Sequence, residues 1–241
     1  MTDARPHRNV VIGGLTAAGK TTHAKKLAAE IGYEYVSGTG TLCRLLDIEV
    51  EEDPPPWVNV AAQVAKLRTD ETDRALEDEL LRKSRAADRQ VFDVWALPWT
   101  SRDPALIRVW INSTLESRTW KCFVSQGSRP AMPLACWKDY VEKKDDRNQK
   151  LFLRTIGFDL YGDRAVFAVE LDNSALIAAP TEAAAQVGIR QFGPIVRAAV
   201  EVCHGLLPAA NLIGLDAALN SGPTVLRVSC DPKRDGGPYA G

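Results

Sequence analysis

The sequence predicts an α/β fold, three layers deep, with a five-strand parallel sheet between two layers of helices. Three observations carry that prediction. The apolar run Asn9-Val10-Val11-Ile12 enters a glycine-bearing turn and then a helix-periodic stretch. Beyond it, apolar runs of strand length alternate with amphipathic stretches as far as residue 207. No internal repeat interrupts that alternation, so a solenoid or propeller is excluded.

Each element follows from its local pattern. Thr22 to Ile31 places Ala24, Leu27, Ala28 and Ile31 on one helical face. Tyr33-Glu34-Tyr35-Val36 is a short strand, Ser37-Gly38-Thr39-Gly40 a turn, and Thr41 to Leu46 a short helix. Glu49 to Pro56 is acidic and then proline-rich, which makes it a loop. Val60, Val64, Leu67, Leu76, Leu80 and Leu81 keep helical spacing through one long stretch, Val58 to Ala87. Gln90 to Trp95 and Ala105 to Ile111 read as buried strands. Ser113 or Thr114 caps the next helix, with Glu116 close behind. Gln126 to Pro133 is a basic Gly/Pro loop, Leu134 to Leu153 a helix, Ala165 to Leu171 a strand, and Thr181 to Leu207 a helix. Past Pro208 the pattern weakens, and Asp231 to Gly241 has the composition of a loose tail.

Composition narrows the partners. Of 241 residues, 45% are apolar and 25% charged, as in ordinary globular domains. A net charge of −1 argues against nucleic acid as partner. No apolar stretch is long enough to span a bilayer, and Met1 to Arg8 is polar, unlike a signal peptide, so a cytoplasmic protein is expected. The five cysteines are scattered, with no Cys-x-x-Cys pair, and are read as reduced thiols. The three histidines lie far apart, and His23 is read as a surface residue.

The turn after the first strand carries the chemistry. Gly14-Leu15-Thr16-Ala17-Ala18-Gly19-Lys20-Thr21 is glycine, four residues, then Gly-Lys-Thr, the pattern of a phosphate-cradling loop. Its glycines let backbone amides turn toward phosphate oxygens. Lys20 places a cation by the β- and γ-phosphates, and the Thr21 hydroxyl can ligate Mg²⁺. Strand, loop and helix in this order aim a helix N-terminus at an anion. Asp93 ends a strand on the same sheet edge, where a carboxylate can hold the water shell of Mg²⁺ or take a proton from an acceptor hydroxyl. Trp95 and Trp99 follow it and can either wall a pocket or pack in the core.

Four stretches resemble the cytidylate kinase family of nucleoside monophosphate kinases, over about Val10 to Leu176. They are Gly13 to Thr22 with Leu27 to Tyr33; Val36-Ser37-Gly38-Thr39-Gly40-Thr41-Leu42-Cys43-Arg44; Ile107 to Asn112 with Leu115-Glu116-Ser117-Arg118; and Glu142 to Arg147 with Gly157-Phe158-Asp159-Leu160 and Leu171 to Ser174. The resemblance implies a P-loop kinase fold with a helical lid. It implies a kinase domain over residues 1–207, with an acceptor-binding region about 37–89 and a lid about 126–150, followed by an extension at 208–241. It also implies transfer of the γ-phosphate of ATP, with Mg²⁺, to a CMP-like nucleotide.

Carried over by position, Gly14, Thr16, Ala17, Ala18, Gly19, Lys20, Thr21 and Thr22 would hold ATP, and Thr21 the metal. Ser37, Gly38, Arg44 and Trp95 would face the acceptor, and Lys20, Asp93, Arg118 and Arg147 would serve the transfer. The chain departs from the family where a Gly-Arg pair is expected after the third strand, since Asp93-Val94-Trp95-Ala96 stands there, and Lys144, Gln149 and Leu151 take lid positions that carry arginine. Those departures keep two alternatives open: a kinase for an alcohol acceptor with Asp93 as base, and a non-catalytic ATP-binding regulator. Oligomeric state is not legible.

Overall fold

The computed structural model describes residues 8–51, 57–126, 132–159, 161–219 and 222–230. Most of the basic loop at 126–133, with Arg129, falls outside the described residues, as do Leu160 and the tail 231–241. Strand β1 (Val10–Gly14) is wholly buried and leads through the phosphate loop into α1 (Lys20–Ile31), which Gly32 ends in a left-handed conformation. Next come β2 (Glu34–Ser37), α2 (Gly38–Leu45), α3 (Trp57–Leu67), α4 (Asp70–Ala86), β3 (Gln90–Asp93), the one-turn α5 (Leu97–Thr100) and β4 (Ile107–Asn112). The chain continues through α6 (Leu115–Gln126), α7 (Leu134–Thr155), β5 (Val169–Asp172), α8 (Glu182–Cys203), α9 (Ala209–Ala218) and β6 (Val225–Val228).

The sheet order is β2-β3-β1-β4-β5-β6. The first five strands are parallel, and β6 joins antiparallel beside β5. The expected five parallel strands are therefore present, with a sixth added. Val225–Val228 is too short and too exposed to show a strand period, so only its pairing identifies it. The chain reverses direction across the sheet at β1, whose neighbours β3 and β4 lead opposite ways. The crevice at that switch point is where open α/β sheets bind ligands.

Three local readings change. Ser37 to Gly40 is not a free turn: Ser37 Oγ accepts the Gly40 amide at 3.0 Å and starts α2 directly. The stretch Val58 to Ala87 is two helices, because Thr69 and Thr72 form a reciprocal capping box that starts α4 anew. The strand expected at Ala165 is confined to Val169–Asp172.

The core lies on both faces of the sheet. One face packs α1 and α8 through Leu27, Ile31, Phe192 and Val196. The other packs α2, α3 and α4 through Leu42, Val64 and Leu80. An aromatic cluster of Trp99, Trp110, Phe152, Phe158 and Phe167 continues that layer beneath the site. Trp99 belongs to it, stacked on Phe158 at 4.2 Å with its indole N–H on the Asp163 carbonyl, so it is core and not a pocket wall.

Cys203 and Cys230 form a disulfide that ties the end of α8 to the residues after β6, against the expectation of reduced thiols throughout. They stand 27 positions apart in sequence, and only the fold brings them together. Among the described residues no helix is long and apolar enough to cross a membrane.

Candidate active site

The phosphate loop stands at the carboxyl end of β1 because β1 is the central strand. A Cβ at Gly14 would meet the Ile111 carbonyl oxygen at 2.8 Å, so only glycine lets the loop leave the sheet there. Gly19 has φ 98°, and Ala17 takes φ 60°, a left-handed conformation that costs a non-glycine residue about 1–2 kcal/mol. No side chain caps α1, which leaves its first amides for an anion. Lys20 Nζ folds back on its own loop, donating to the carbonyls of Gly14 at 2.7 Å and Leu15 at 2.9 Å. It also lies 4.3 Å from the centre of a Trp95 ring. Burial pushes the Lys20 pKa down, while Asp93 and Asp145 pull it back up.

Beside Lys20, Thr21 Oγ1 donates to Asp93 Oδ2 at 2.5 Å, and the Tyr35 hydroxyl donates to the same oxygen at 3.2 Å. The parallel pairing of β1 with β3 brings the end of β3 beside the loop. A hydroxyl and a carboxylate so close, next to a phosphate loop, fit Mg²⁺ held by a few protein oxygens, water and substrate phosphate. Among the described residues no cluster of three or more His, Cys, Asp or Glu able to hold a metal exists.

The arginines are arranged differently from the expectation. Arg118 is buried on α6. It donates to the Thr16 carbonyl at 3.2 Å and to the Ser113 carbonyl at 3.2 Å, and it pairs with Asp145 Oδ2. Asp145 Oδ1 accepts the Thr16 amide at 2.9 Å. Arg118 and Asp145 thus brace the phosphate loop from α6 and α7. Arg147 is exposed on α7, and neither it nor Arg44 lines the cleft. Arg44 donates to Thr41 Oγ1 at 3.1 Å along its own helix, α2. Ser37 is buried in its capping role.

One cleft of about 710 Å³ opens at the phosphate loop. Thr16, Ala17, Gly19, Lys20, Thr21, Thr22, Gly38, Asp93 and Trp95 line it together. Gly14 and Ala18 serve from behind, through carbonyls that accept Lys20 and the Asn173 side-chain amide. The cleft also holds residues that the sequence did not place there. Lys121 Nζ donates to Ser113 Oγ at 2.8 Å and Asn173 Oδ1 at 2.5 Å. Burial lowers its pKa to about 7, with Asp172 opposing the shift. Lys144 places its ammonium 4.0 Å from the centre of a Trp57 ring. Burial and the nearby Lys20 charge lower its pKa to about 7. His23 is buried rather than on the surface, edge-on to Phe192 at 4.8 Å, and burial holds it neutral with a pKa of about 3. Its position one turn into α1, on the face that meets α8, was the available signal.

No family model matches the chain. Over 158 residues it is 23% identical to the cytidylate kinase of Halorubrum lacusprofundi, covering 66% of this chain and 77% of that protein. The crystal structure of a shikimate kinase from Bacteroides thetaiotaomicron superimposes with a TM-score of 0.47 at 10% identity, over 78% of this chain and 98% of that one. A gluconokinase from Sinorhizobium meliloti gives 0.43 at 14% identity, over 80% and 97%. At such scores the fold rests on the strand order and the loop themselves. With that loop at the carboxyl end of β1 in a sheet of this order, the chain has an α/β fold with a phosphate-cradling loop, and its sequence is similar to a nucleoside monophosphate kinase.

Proposed function

We propose that the chain is an ATP-dependent phosphotransferase that moves the γ-phosphoryl group to a small acceptor seated by Asp93 and Trp95. One observation carries this reading. Lys20, the Thr21–Asp93 pair and the open amides of α1 face a single cleft large enough for a nucleotide beside a small acceptor. The loop amides would hold the phosphate oxygens, and Lys20 would leave the Gly14 and Leu15 carbonyls to meet the β- and γ-phosphates. Mg²⁺, bound through Thr21 and Asp93, would supply neutralising charge at the phosphate oxygens. Trp95 would form one wall of the acceptor site and help keep water from the transferring group.

We favour an acceptor with a hydroxyl group. Asp93 Oδ2 takes the Thr21 and Tyr35 hydroxyls, which leaves Oδ1 to accept an acceptor proton. Neither Arg44 nor Arg147 lines the cleft to clamp an acceptor phosphate. A CMP-like acceptor is the second reading, favoured by the similarity to a cytidylate kinase. For it, residues 37–89 would form the acceptor region and 126–150 the lid of a domain ending near 207. A reaction drawing on ATP suits the cytoplasm, where we place the chain.

The test is a mass-resolved transfer assay with ATP, Mg²⁺, a panel of CMP, dCMP, UMP, AMP and small alcohols, and Lys20→Ala as control. Lys20-dependent phosphorylation of an alcohol, abolished by Asp93→Asn, is the expected result. A Lys20-dependent nucleoside diphosphate would install the second reading. ATP binding with no transfer to any acceptor would favour a regulatory protein instead.

A further inference from the structure

We infer that Lys144 on α7 is the side chain that meets the transferring phosphoryl group, in place of the arginines expected from that helix. The inference rests on the phosphotransferase reading above and names a residue that this reading leaves unassigned. A γ-phosphoryl group passing from ADP to an acceptor oxygen carries charge on its equatorial oxygens, which a cation beyond Lys20 would stabilise. Among the described residues, four cationic side chains compete for that task. Arg118 is committed to the Thr16 and Ser113 carbonyls and to Asp145. Arg147 is exposed and outside the cleft. Lys121 also lines the cleft, but its ammonium is held by Ser113 and Asn173. Lys144 remains: it lines the cleft, and among the described residues it has no ion-pair or hydrogen-bond partner, only the Trp57 ring face at 4.0 Å.

The helix register places it. Asp145, its neighbour, is hydrogen-bonded to the Thr16 amide, so α7 is pinned to the phosphate loop within one residue of Lys144. An ammonium resting on an indole is weakly held, and a phosphate oxygen is the stronger partner. Trp57 is thus the partner that a phosphate oxygen would displace. The groups around the ammonium are Lys20 on α1, Cys122 on α6, Arg68 after α3 and Asp145 on its own helix. Burial and the Lys20 charge together disfavour its protonated form, and the charge of an incoming triphosphate removes that penalty.

The experiment needs no acceptor. Binding of Mg²⁺·ADP and of the non-hydrolysable β,γ-imido analogue of ATP is measured by calorimetry for the wild type, Lys144→Met and Lys144→Arg. If Lys144 meets the γ-phosphoryl group, Lys144→Met weakens the imido analogue about tenfold and ADP less than twofold, while Lys144→Arg restores the preference. Equal effects on both nucleotides, or none on either, overturn the assignment even if the protein is a kinase. A wild type that binds neither nucleotide overturns the kinase reading and this one together. Tryptophan emission gives a second readout: the change that separates the imido analogue from ADP should vanish in Trp57→Phe, and its persistence would argue against Trp57 as the displaced partner.

Discussion

Among the described residues, lysines rather than arginines line this cleft, and that has a measurable consequence. An ammonium is a compact charge that loses its proton readily when buried, whereas a guanidinium does not. Lys121 has a pKa of about 7 in the folded protein against an ordinary 10.5. Between these values the unfolded chain binds the proton and the folded chain does not, so stability contributed by this group rises with pH. Lys144 adds the same trend, and Glu77, raised to about 8 by burial, opposes it only below its own pKa. Comparing Lys121→Met with the wild type isolates the lysine. Between pH 7 and 9, with no nucleotide, the melting temperature of the wild type should climb more steeply than that of the variant, and identical slopes in differential scanning calorimetry would sink the argument. At this scale the sequence was partly informative. Lys20, Thr21 and Asp93 were legible because a motif or a strand end marks them. The burial of Lys121 and Lys144 in the cleft was not, since a helix lysine looks like any solvated residue until its surroundings are known.

At the scale of elements, α6 and α7 hold the phosphate loop through one buried ion pair. Arg118 and Asp145 side chains are 8% and 3% exposed, and each is hydrogen-bonded to the backbone of Thr16. Removing the carboxylate strands a guanidinium out of water, a change that costs about 3–5 kcal/mol when a buried pair is broken. Asp145→Ala should therefore lower the midpoint of urea unfolding by that equivalent, and Asp145→Asn, which keeps an acceptor for the Thr16 amide, should lower it less. A loss below about 1 kcal/mol for both would mean that the loop is braced elsewhere. The α7 helix was legible from its periodicity, but its inward face was not. Asp145 sits in a run of six charged residues, Glu142 to Arg147, and nothing in that run tells which carboxylate turns toward the loop. Likewise the split between α3 and α4 depended on a threonine capping box that the hydrophobic spacing ran straight across.

At the scale of the whole molecule, β6 is an antiparallel edge strand of four half-exposed or exposed residues, fastened by two devices. Arg227 donates to the carbonyls of Arg164 and Phe167 and pairs with Glu170 at 2.6 Å. The Cys203–Cys230 bond closes a loop with a sequence separation of 27. A loop of that length stabilises by about 2–4 kcal/mol through the unfolded chain. Reduction, or Cys203→Ser with Cys230→Ser, should lower the melting temperature by several degrees and raise hydrogen exchange first in β6, while β1 and β3 keep their protection. Exchange that rises equally across the sheet would show β6 to be no separate unit.

What the sequence by itself determined is the part of this protein whose physics is local. A strand, a glycine loop and a helix start are written in consecutive residues, and alternation of strand and helix periods dictates a parallel sheet between helices. Tertiary structure decided everything that depends on distance along the chain. Thr21 meets Asp93 across 72 positions, Arg118 meets Asp145 across 27, and Cys203 meets Cys230, only because β1 lies between β3 and β4 and α6 and α7 pack against the loop. Side-chain type reports what a residue can do. Burial and neighbours, which the fold alone supplies, determine which lysine stays free in the cleft and which arginine is spent on holding the loop.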